Sequence, residues 1–404
     1  MDFKTLYGEH CDIARQEKRF NDVRDAFVKE EGCEPEYYFS SSGRAEILGN
    51  HTDHNHGKVM VAAISCDIVC AVKKTDDNKI VIASTDYNAL TVDINDTELN
   101  KKEYGSSLAL TKGIVHKLKE MGYKFGGFVA HTESNIFKGA GVSSSAAFEV
   151  MVCEIINKLY LNEALDEVTK AVISQYSENV YFGKPCGLLD QSGISIGSLT
   201  KLDFNEPEKP VITKLTPPKG YTLVITNTGG NHASLTKHYA DIRIEMEEVA
   251  EFFGKKVLRD VDYNDFMSKM DKLNARFPGR AILRALHFFN ENKRVDEAEK
   301  ALKSGDTKKF LECVNESGRS SLTLLQNCCV PGDIEQPVVL GIELSRQIIK
   351  DGAIRVHGGG FAGSIIAFVA DKEVKDYTDY MKKVFGNDNV FVAEIRMVGT
   401  TFVK

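Results

Sequence analysis

The feature that most constrains this chain is a glycine- and serine-rich turn, residues 137–147, that runs directly into a helical stretch at 148–161. Ala, Glu, Met and Leu dominate that stretch, and these residues favour helix. The free N–H groups and the dipole at a helix start bind anions, and glycines let the backbone approach them. An ordinary serine N-cap needs neither two glycines nor three consecutive serines, so the turn predicts a phosphate site. It is not a Walker A loop, because no GxxxxGK[ST] occurs in the chain.

The length of the chain predicts two domains. Single hydrophobic cores stop growing at about 250–300 residues, and this chain has 404. Two charged, proline-bearing segments place the boundary after residue 205, giving domains 1–205 and 206–404. We expect an α+β fold, with a mixed sheet and helices in the first domain, a helix-rich second domain and a cleft between them. The patterns predict strands at 79–84, 127–132 and 364–369, a helix at 107–121 and amphipathic stretches at 236–253 and 281–313.

Charge and hydropathy exclude several classes of function. The 51 Lys and Arg are outnumbered by 58 Asp and Glu, and no basic stripe stands out, which argues against nucleic-acid binding. The longest apolar runs, such as 365–370, are far shorter than the roughly 20 residues that span a bilayer. The N-terminus lacks the apolar segment of a secretory signal, so we expect a cytoplasmic protein. Nine cysteines without a CxxC pair favour reduced thiols over a disulfide framework.

A second glycine cluster, residues 358–363, formally satisfies GxGxxG. A dinucleotide fingerprint must open a helix, whereas the residues that follow this cluster predict a strand. We therefore interpret it as a tight loop that lets the backbone approach a ligand or another loop.

A polar cluster at residues 43–57 concentrates Asn, His and Asp side chains. His51, His54 and His56 lack helical i, i+4 spacing and a distant fourth ligand, which disfavours zinc. Neighbouring donors and acceptors suit a polyhydroxylated ligand, and the alternative is a turn satisfied by its own side chains.

Asp190 lies in a fourth segment, residues 185–193, among glycines and leucines. Burial would raise the pKa of this carboxyl group, whereas a nearby Arg44 would lower it and keep it ionised. The segment alone leaves two interpretations open, a catalytic base and a buried aspartate that holds a turn together.

In their order and spacing these segments resemble the galactokinases of the galactokinase, homoserine kinase, mevalonate kinase and phosphomevalonate kinase (GHMP) superfamily. Residues 43–57 match the sugar signature, 139–145 the phosphate loop, 187–191 the catalytic segment and 358–363 the third motif. Residues 227–232 with Tyr239 resemble the segment that places a sugar-contacting tyrosine. The resemblance covers nearly the whole chain and implies a two-domain GHMP-kinase fold with its active site in the cleft.

The resemblance also implies the reaction, transfer of the γ-phosphate of ATP to the C1 hydroxyl of α-D-galactose with Mg²⁺. Asp190 would be the catalytic carboxylate, and Arg44 the cation that steadies the transferring charge. Ser145 and Glu178 would hold Mg²⁺. The sugar would contact Asn50, His51, Asp53, Gly187 and Tyr239. The ATP phosphates would contact Gly139, Ala140, Gly141, Val142, Ser143, Ser144 and Ser145.

Departures from the family pattern keep alternatives open. Asn50 stands where galactokinases usually have glutamate, and neutral Asn50 can accept from a 6-hydroxyl or donate to a 6-carboxylate. Galacturonate, N-acetylgalactosamine and L-arabinose are therefore rival substrates. The usual tyrosine is replaced by His54, and no aromatic pair marks an adenine pocket near residues 103–113, which leaves the nucleotide base open.

A rival of another class is a non-catalytic sensor of galactose and ATP. The intact stretch 143–147, together with Arg44, Glu178 and Asp190, favours an enzyme. We expect a monomer that takes a sugar and ATP, with no nucleic-acid or membrane partner.

Overall fold

The computed structural model describes residues 2–8, 11–85, 87–137, 141–230 and 235–404. The helices in this part of the chain are α1 (Phe3–Tyr7), α2 (Ile13–Glu31), α3 (Ser107–Glu120), α4 (Ser144–Tyr160), α5 (Glu167–Tyr176), α6 (Leu189–Ile196), α7 (Thr236–Phe252), α8 (Tyr263–Ser268), α9 (Met270–Arg276), α10 (Gly279–Ser304), α11 (Thr307–Ser320), α12 (Pro337–Ile348) and α13 (Val374–Phe385). The strands are β1 (Tyr37–Leu48), β2 (Lys58–Lys74), β3 (Lys79–Ser84), β4 (Tyr87–Asp93), β5 (Phe128–Ser134), β6 (Leu199–Asp203), β7 (Val211–Leu215), β8 (Tyr221–Asn227), β9 (Gly352–Val356), β10 (Ser364–Ala370), β11 (Val390–Ala393) and β12 (Thr401–Phe402).

The larger sheet is mixed and has the order β12-β1-β2-β5-β3-β4. The long strand β2 divides its pairing, because residues 58–62 pair with β6 and residues 68–74 pair with β5. Strand β7 continues the sheet beyond β6. The pair β3–β5 is parallel and the other described pairs are antiparallel.

A smaller antiparallel sheet, in the order β11-β8-β10-β9, forms in the second half of the chain. Strand β10 lies between β8 and β9 and is buried along its whole length, as its unbroken apolar sequence predicts. The loop between β9 and β10 is the glycine cluster 358–363, so this loop joins two strands as expected.

The helix expected after the phosphate turn is present as α4, and between Ala146 and Asn157 all its residues except the partly buried Phe148 are buried. The amphipathic stretch 281–313 is not one helix: it is divided between α10 and α11. Gly305 ends α10 with φ 74°, a left-handed conformation that glycine adopts without strain.

These elements confirm the expected α+β class with a mixed sheet. Strands β7 and β12 join the larger sheet although both lie beyond residue 205. The division into domains at residues 205 and 206 stays a prediction. Among the described residues, no helix has both the length and the apolar character needed to cross a bilayer.

Candidate active site

Arg44 and Asp190 form the central ion pair of the candidate site. Arg44 lies on β1 and Asp190 in the first turn of α6. Arg44 Nε is 2.8 Å from Asp190 Oδ1, and Arg44 Nη2 is 2.7 Å from Oδ2. Two parallel charge-assisted hydrogen bonds fix both the distance and the plane of the carboxylate. The residues predicted to be catalytic are therefore in direct contact.

The ion pair is attached to the turn that precedes α4. The Ser143 hydroxyl donates to Asp190 Oδ2, and Arg44 Nη1 donates to the carbonyl of Gly141. The backbone N–H of Arg44 also donates to the Val142 carbonyl, at 3.2 Å. These contacts bring the phosphate turn next to the carboxylate that the sequence singled out.

The pKa of Asp190 lies below its usual range. Burial would raise it, but the charge and hydrogen bonds of Arg44, the Ser143 hydroxyl and the charge of Lys184 together outweigh that effect. Asp190 is therefore ionised at neutral pH, in a site where Arg44 is only 5% exposed.

The phosphate turn is described from Gly141 onward; the predicted ATP contacts Gly139 and Ala140 lie outside the described residues. Gly141 and Ser144 are exposed at the start of α4, whereas the Val142 side chain is buried in the core. Val142 can therefore offer a ligand only its backbone. The free N–H groups of the first turn of α4, a 17-residue helix, face the same region as Ser143.

Ser145 and Glu178, the predicted Mg²⁺ ligands, lie together. Ser145 Oγ donates to Glu178 Oε1 at 3.2 Å, and Lys184 Nζ donates to the same oxygen at 3.0 Å. Glu178 Oε2 accepts from Gln191 at 2.7 Å. A carboxylate and a hydroxyl are the hard oxygen ligands that Mg²⁺ takes, so the pair fits the ion. Among the described residues no group of three or more His, Cys, Asp or Glu forms a ready cage for a metal.

The turn after β1 carries His51, which packs against the glycine loop 358–363. His51 Nε2 is 2.9 Å from the Gly359 carbonyl, and the Tyr239 hydroxyl donates to the Gly360 carbonyl at 3.1 Å. The His51 and Tyr239 rings stack at 6.5 Å. Burial lowers the pKa of His51 to about 4, so the imidazole is neutral at pH 7. Two residues expected to contact the sugar are thus adjacent.

Asp53 and Gly187 are in closer contact than any side chain at position 187 would allow. A Cβ atom on Gly187 would lie 1.7 Å from Asp53 Oδ2. Burial, with the nearby charge of Asp190, raises the pKa of Asp53 to about 6. Asp53 and Asp190, two of the carboxyl groups of the candidate site, therefore have pKa values shifted in opposite directions.

The side chain of Asn50 is engaged entirely within the protein. Its Nδ2 donates to Glu46 Oε1 at 2.7 Å and to the Gly358 carbonyl at 2.8 Å. Its Oδ1 accepts from Asn327 at 2.9 Å and from Ser321 at 3.1 Å. An amide has two N–H donors and two acceptor positions, so a contact with the sugar would require one of these bonds to open. That contact stays a prediction.

The sequence reasoning missed two charged residues of this site, Glu46 and Lys184. Glu46 follows Arg44 by two residues on a strand, a spacing that puts both side chains on one face. Burial raises the pKa of Glu46 to about 7, although the charges of Arg355 and Arg44 oppose that rise. The strand period could have identified Glu46. Lys184 lies just beyond the short helical segment Ser177–Phe182 that contains Glu178, and the sequence held no comparable signal for it.

Two models of known protein families match the segments that carry the residues of the candidate site. The family model described as "GHMP kinases N terminal domain" matches residues 109–198, which include the phosphate turn, Glu178 and Asp190. The model described as "Galactokinase galactose-binding signature" matches residues 25–74, which include Arg44 and the turn after β1. The Methanococcus jannaschii mevalonate kinase shares the fold, with a TM-score of 0.63 over 89% of this chain and 98% of that one, at 15% identity. Fold and site together define a GHMP kinase.

Relatives with higher sequence identity show which family of GHMP kinases the chain belongs to. A galactokinase of Streptomyces coelicolor is 30% identical over 90% of this chain and 92% of its own length. A galactokinase of Glaesserella parasuis is 33% identical over 82% of this chain and 85% of its own. The structure of Lactococcus lactis galactokinase complexed with galactose aligns with a TM-score of 0.82 at 25% identity, covering 95% of this chain and 99% of that one. The chain belongs to the galactokinase family, and the resemblance seen in its sequence is confirmed.

Proposed function

We propose that this protein transfers the γ-phosphate of ATP to the C1 hydroxyl of α-D-galactose, releasing galactose 1-phosphate and ADP. The observation that carries the proposal is the bidentate Arg44–Asp190 pair, which lies beside the phosphate turn and within electrostatic range of Asp53. Phosphoryl transfer needs mainly positioning and charge neutralisation, and both are available where the phosphate turn contacts Arg44 and Asp190.

In the proposed reaction different residues of the chain have separate roles. The ionised Asp190 orients the C1 hydroxyl and takes up its proton, and Arg44 neutralises negative charge on the transferring group. The first turn of α4 and the hydroxyl of Ser144 bind the phosphates of ATP. Asp53, His51, Tyr239 and the Gly187 backbone surround the sugar.

Mg²⁺, held by Ser145 and Glu178, would screen the phosphate charge when bound. We expect activity to disappear with EDTA and to return with Mg²⁺.

Replacing Glu178 with Gln removes the only charged ligand of the proposed pair. The Mg²⁺ concentration for half-maximal activity should therefore rise at least about tenfold, consistent with the loss of a charged contact of about 1.5–3 kcal/mol. Glu154→Gln is the matched control, because Glu154 is a buried carboxylate bonded to Lys170 at 2.7 Å elsewhere on α4. Equal Mg²⁺ requirements in both variants would contradict the assignment.

The pKa of Asp53 predicts a pH dependence for sugar binding. Its pKa of about 6 means that the carboxylate, the stronger acceptor for sugar hydroxyls, is the main form above pH 6 and is lost below it. The KM for galactose at saturating ATP and Mg²⁺ should therefore rise as the pH falls through about 6. In Asp53→Asn the KM for galactose should be high at every pH, and the rise of KM at low pH should be absent. A wild-type KM that stays flat from pH 5 to pH 8 would argue against a contact between Asp53 and the sugar.

A panel of sugars tests the proposed function against its rivals. ADP release is measured with galactose, galacturonate, N-acetylgalactosamine and L-arabinose, and we expect the highest kcat/KM with galactose. Binding of galactose and ATP with no ADP release would instead support the sensor. Action as a monomer in the cytoplasm remains a further prediction, to be checked by light scattering and by fractionation of cells.

A further inference from the structure

Glu46 is a buried carboxylate of the candidate site to which the proposed reaction gives no role. It shares one face of β1 with Arg44, and it is 5% exposed. Arg44, Asp53 and Asp190 all lie within electrostatic range of it. Taking a carboxylate out of water is costly unless its oxygens are well partnered.

Only one of the two Glu46 oxygens is used within the protein. Oε1 accepts from Asn50 Nδ2 at 2.7 Å and from Arg355 Nη2 at 3.0 Å. Oε2 accepts no hydrogen bond from the described residues, and it is not among the polar atoms sealed from solvent without a partner. Oε2 is thus a solvent-accessible acceptor on a carboxylate that lies within electrostatic range of Arg44, Asp53 and Asp190.

Asn50 holds this carboxylate in place. Its amide group is fully hydrogen-bonded and the residue is 0% exposed, so it fixes Glu46 to the Gly358 carbonyl and to Asn327. Arg355 adds a second anchor, because it also donates to the Ile47 carbonyl at 2.8 Å. Carboxylate and amide therefore lie side by side, and only the Oε2 atom of the carboxylate remains without a partner among the described residues.

We infer that Glu46 supplies the carboxylate that accepts a hydrogen bond from the C6 hydroxyl of the sugar, and that Asn50 is a positioning residue for it. The inference rests on the proposed function, which puts the C1 hydroxyl at Asp190. A two-residue step along a strand is roughly 7 Å, so the backbone positions of Arg44 and Glu46 are about one sugar ring apart on the same face of β1. The same carboxylate would repel the 6-carboxylate of galacturonate.

The test compares galactose with 6-deoxygalactose in the wild type and in Glu46→Gln, at a pH about one unit or more above the Glu46 pKa of about 7, where the carboxylate is ionised. The glutamine can still accept from Asn50 and Arg355, so the fold is maintained while the charge is lost. A hydroxyl bonded to a carboxylate should give the wild type at least about a tenfold preference for galactose in kcat/KM. In Glu46→Gln that preference should shrink to about threefold or less, through KM for the sugar, with KM for ATP unchanged.

A second pair of variants distinguishes a direct contact between Glu46 and the sugar from the supporting role of Asn50. Asn50→Glu alone puts two carboxylates together in a buried position, and we expect galactose kcat/KM to fall at least about tenfold. Adding Glu46→Gln to Asn50→Glu restores a single carboxylate beside an amide, and the preference for galactose over 6-deoxygalactose should recover at least in part.

The outcomes distinguish this inference from the proposed function. A wild type that does not phosphorylate galactose would overturn the proposed function itself. A wild type that phosphorylates both sugars equally well would overturn only the role of Glu46. A folded Glu46→Gln protein that loses activity on both sugars by the same factor would also overturn the role of Glu46. An equal loss on both sugars is what a merely structural role predicts.

Discussion

Replacing Asp190 with Asn should lower kcat for galactose at least about 10²-fold while leaving the affinity for ATP largely unchanged. General acid–base catalysis contributes typically 10²–10⁴-fold, and the variant retains no carboxylate at the position where the C1 hydroxyl would lie. The asparagine oxygen can still accept one bond from Arg44, so the two elements that carry the pair should remain joined. Single-turnover kinetics and ATP titration of the same preparation measure both quantities.

The control for Asp190→Asn is Asp203→Asn. Asp203 is also a partly buried aspartate paired with an arginine, Arg259, at 3.0 Å, and it contacts none of the site residues. We expect kcat within about a factor of two of wild type in this control. Near-normal turnover of a folded Asp190→Asn protein would remove Asp190 from the mechanism.

Replacing Gly187 with Ala should raise the KM for galactose at least about tenfold. The new Cβ would lie 1.7 Å from Asp53 Oδ2 and 2.3 Å from Asp53 Cγ, and no real Cβ contact is that short. Asp53 must therefore move away from the position in which we propose that it contacts the sugar. Overpacking of this kind costs about 1–3 kcal/mol, so the thermal midpoint should also fall.

Gly279→Ala is the matched control, because a Cβ on Gly279 would meet no atom within 4 Å. Gly279 begins α10, where alanine is a better helix former than glycine. This variant should keep the wild-type KM and a wild-type or higher thermal midpoint. A Gly187→Ala protein with the wild-type KM would show that the position of Asp53 does not matter for the sugar.

Local structure was largely predictable from the sequence because it depends on neighbouring residues. The strand Lys79–Ser84 has the bounds that its β-branched pattern predicts, and the helix predicted at 148–161 is present as α4, although α4 begins four residues earlier, within the phosphate turn. The amphipathic stretch 281–313 is divided into two helices at Gly305. The sequence permitted a left-handed φ at this glycine but did not require it.

Contacts between distant segments were not predictable in this way. Strand β2 pairs with different partners in its two halves, and that choice depends on β5 and β6, which lie far along the chain. Asn50 is the clearest case in the site: its place in the sugar signature suggested a ligand contact, yet its partners Ser321 and Asn327 come from the other half of the chain. Burial and long-range partners, not residue type, decide what its amide can bind.

The phosphorylated position on the sugar tests the central claim most directly. ATP, Mg²⁺ and galactose are incubated with the protein, and phosphorus NMR identifies the proton coupled to the new phosphate. Coupling to the anomeric proton, in a product that forms with the wild type and not with Asp190→Asn, is the predicted result. A phosphate on any other carbon, or a wild type that phosphorylates galacturonate but not galactose, would contradict the account.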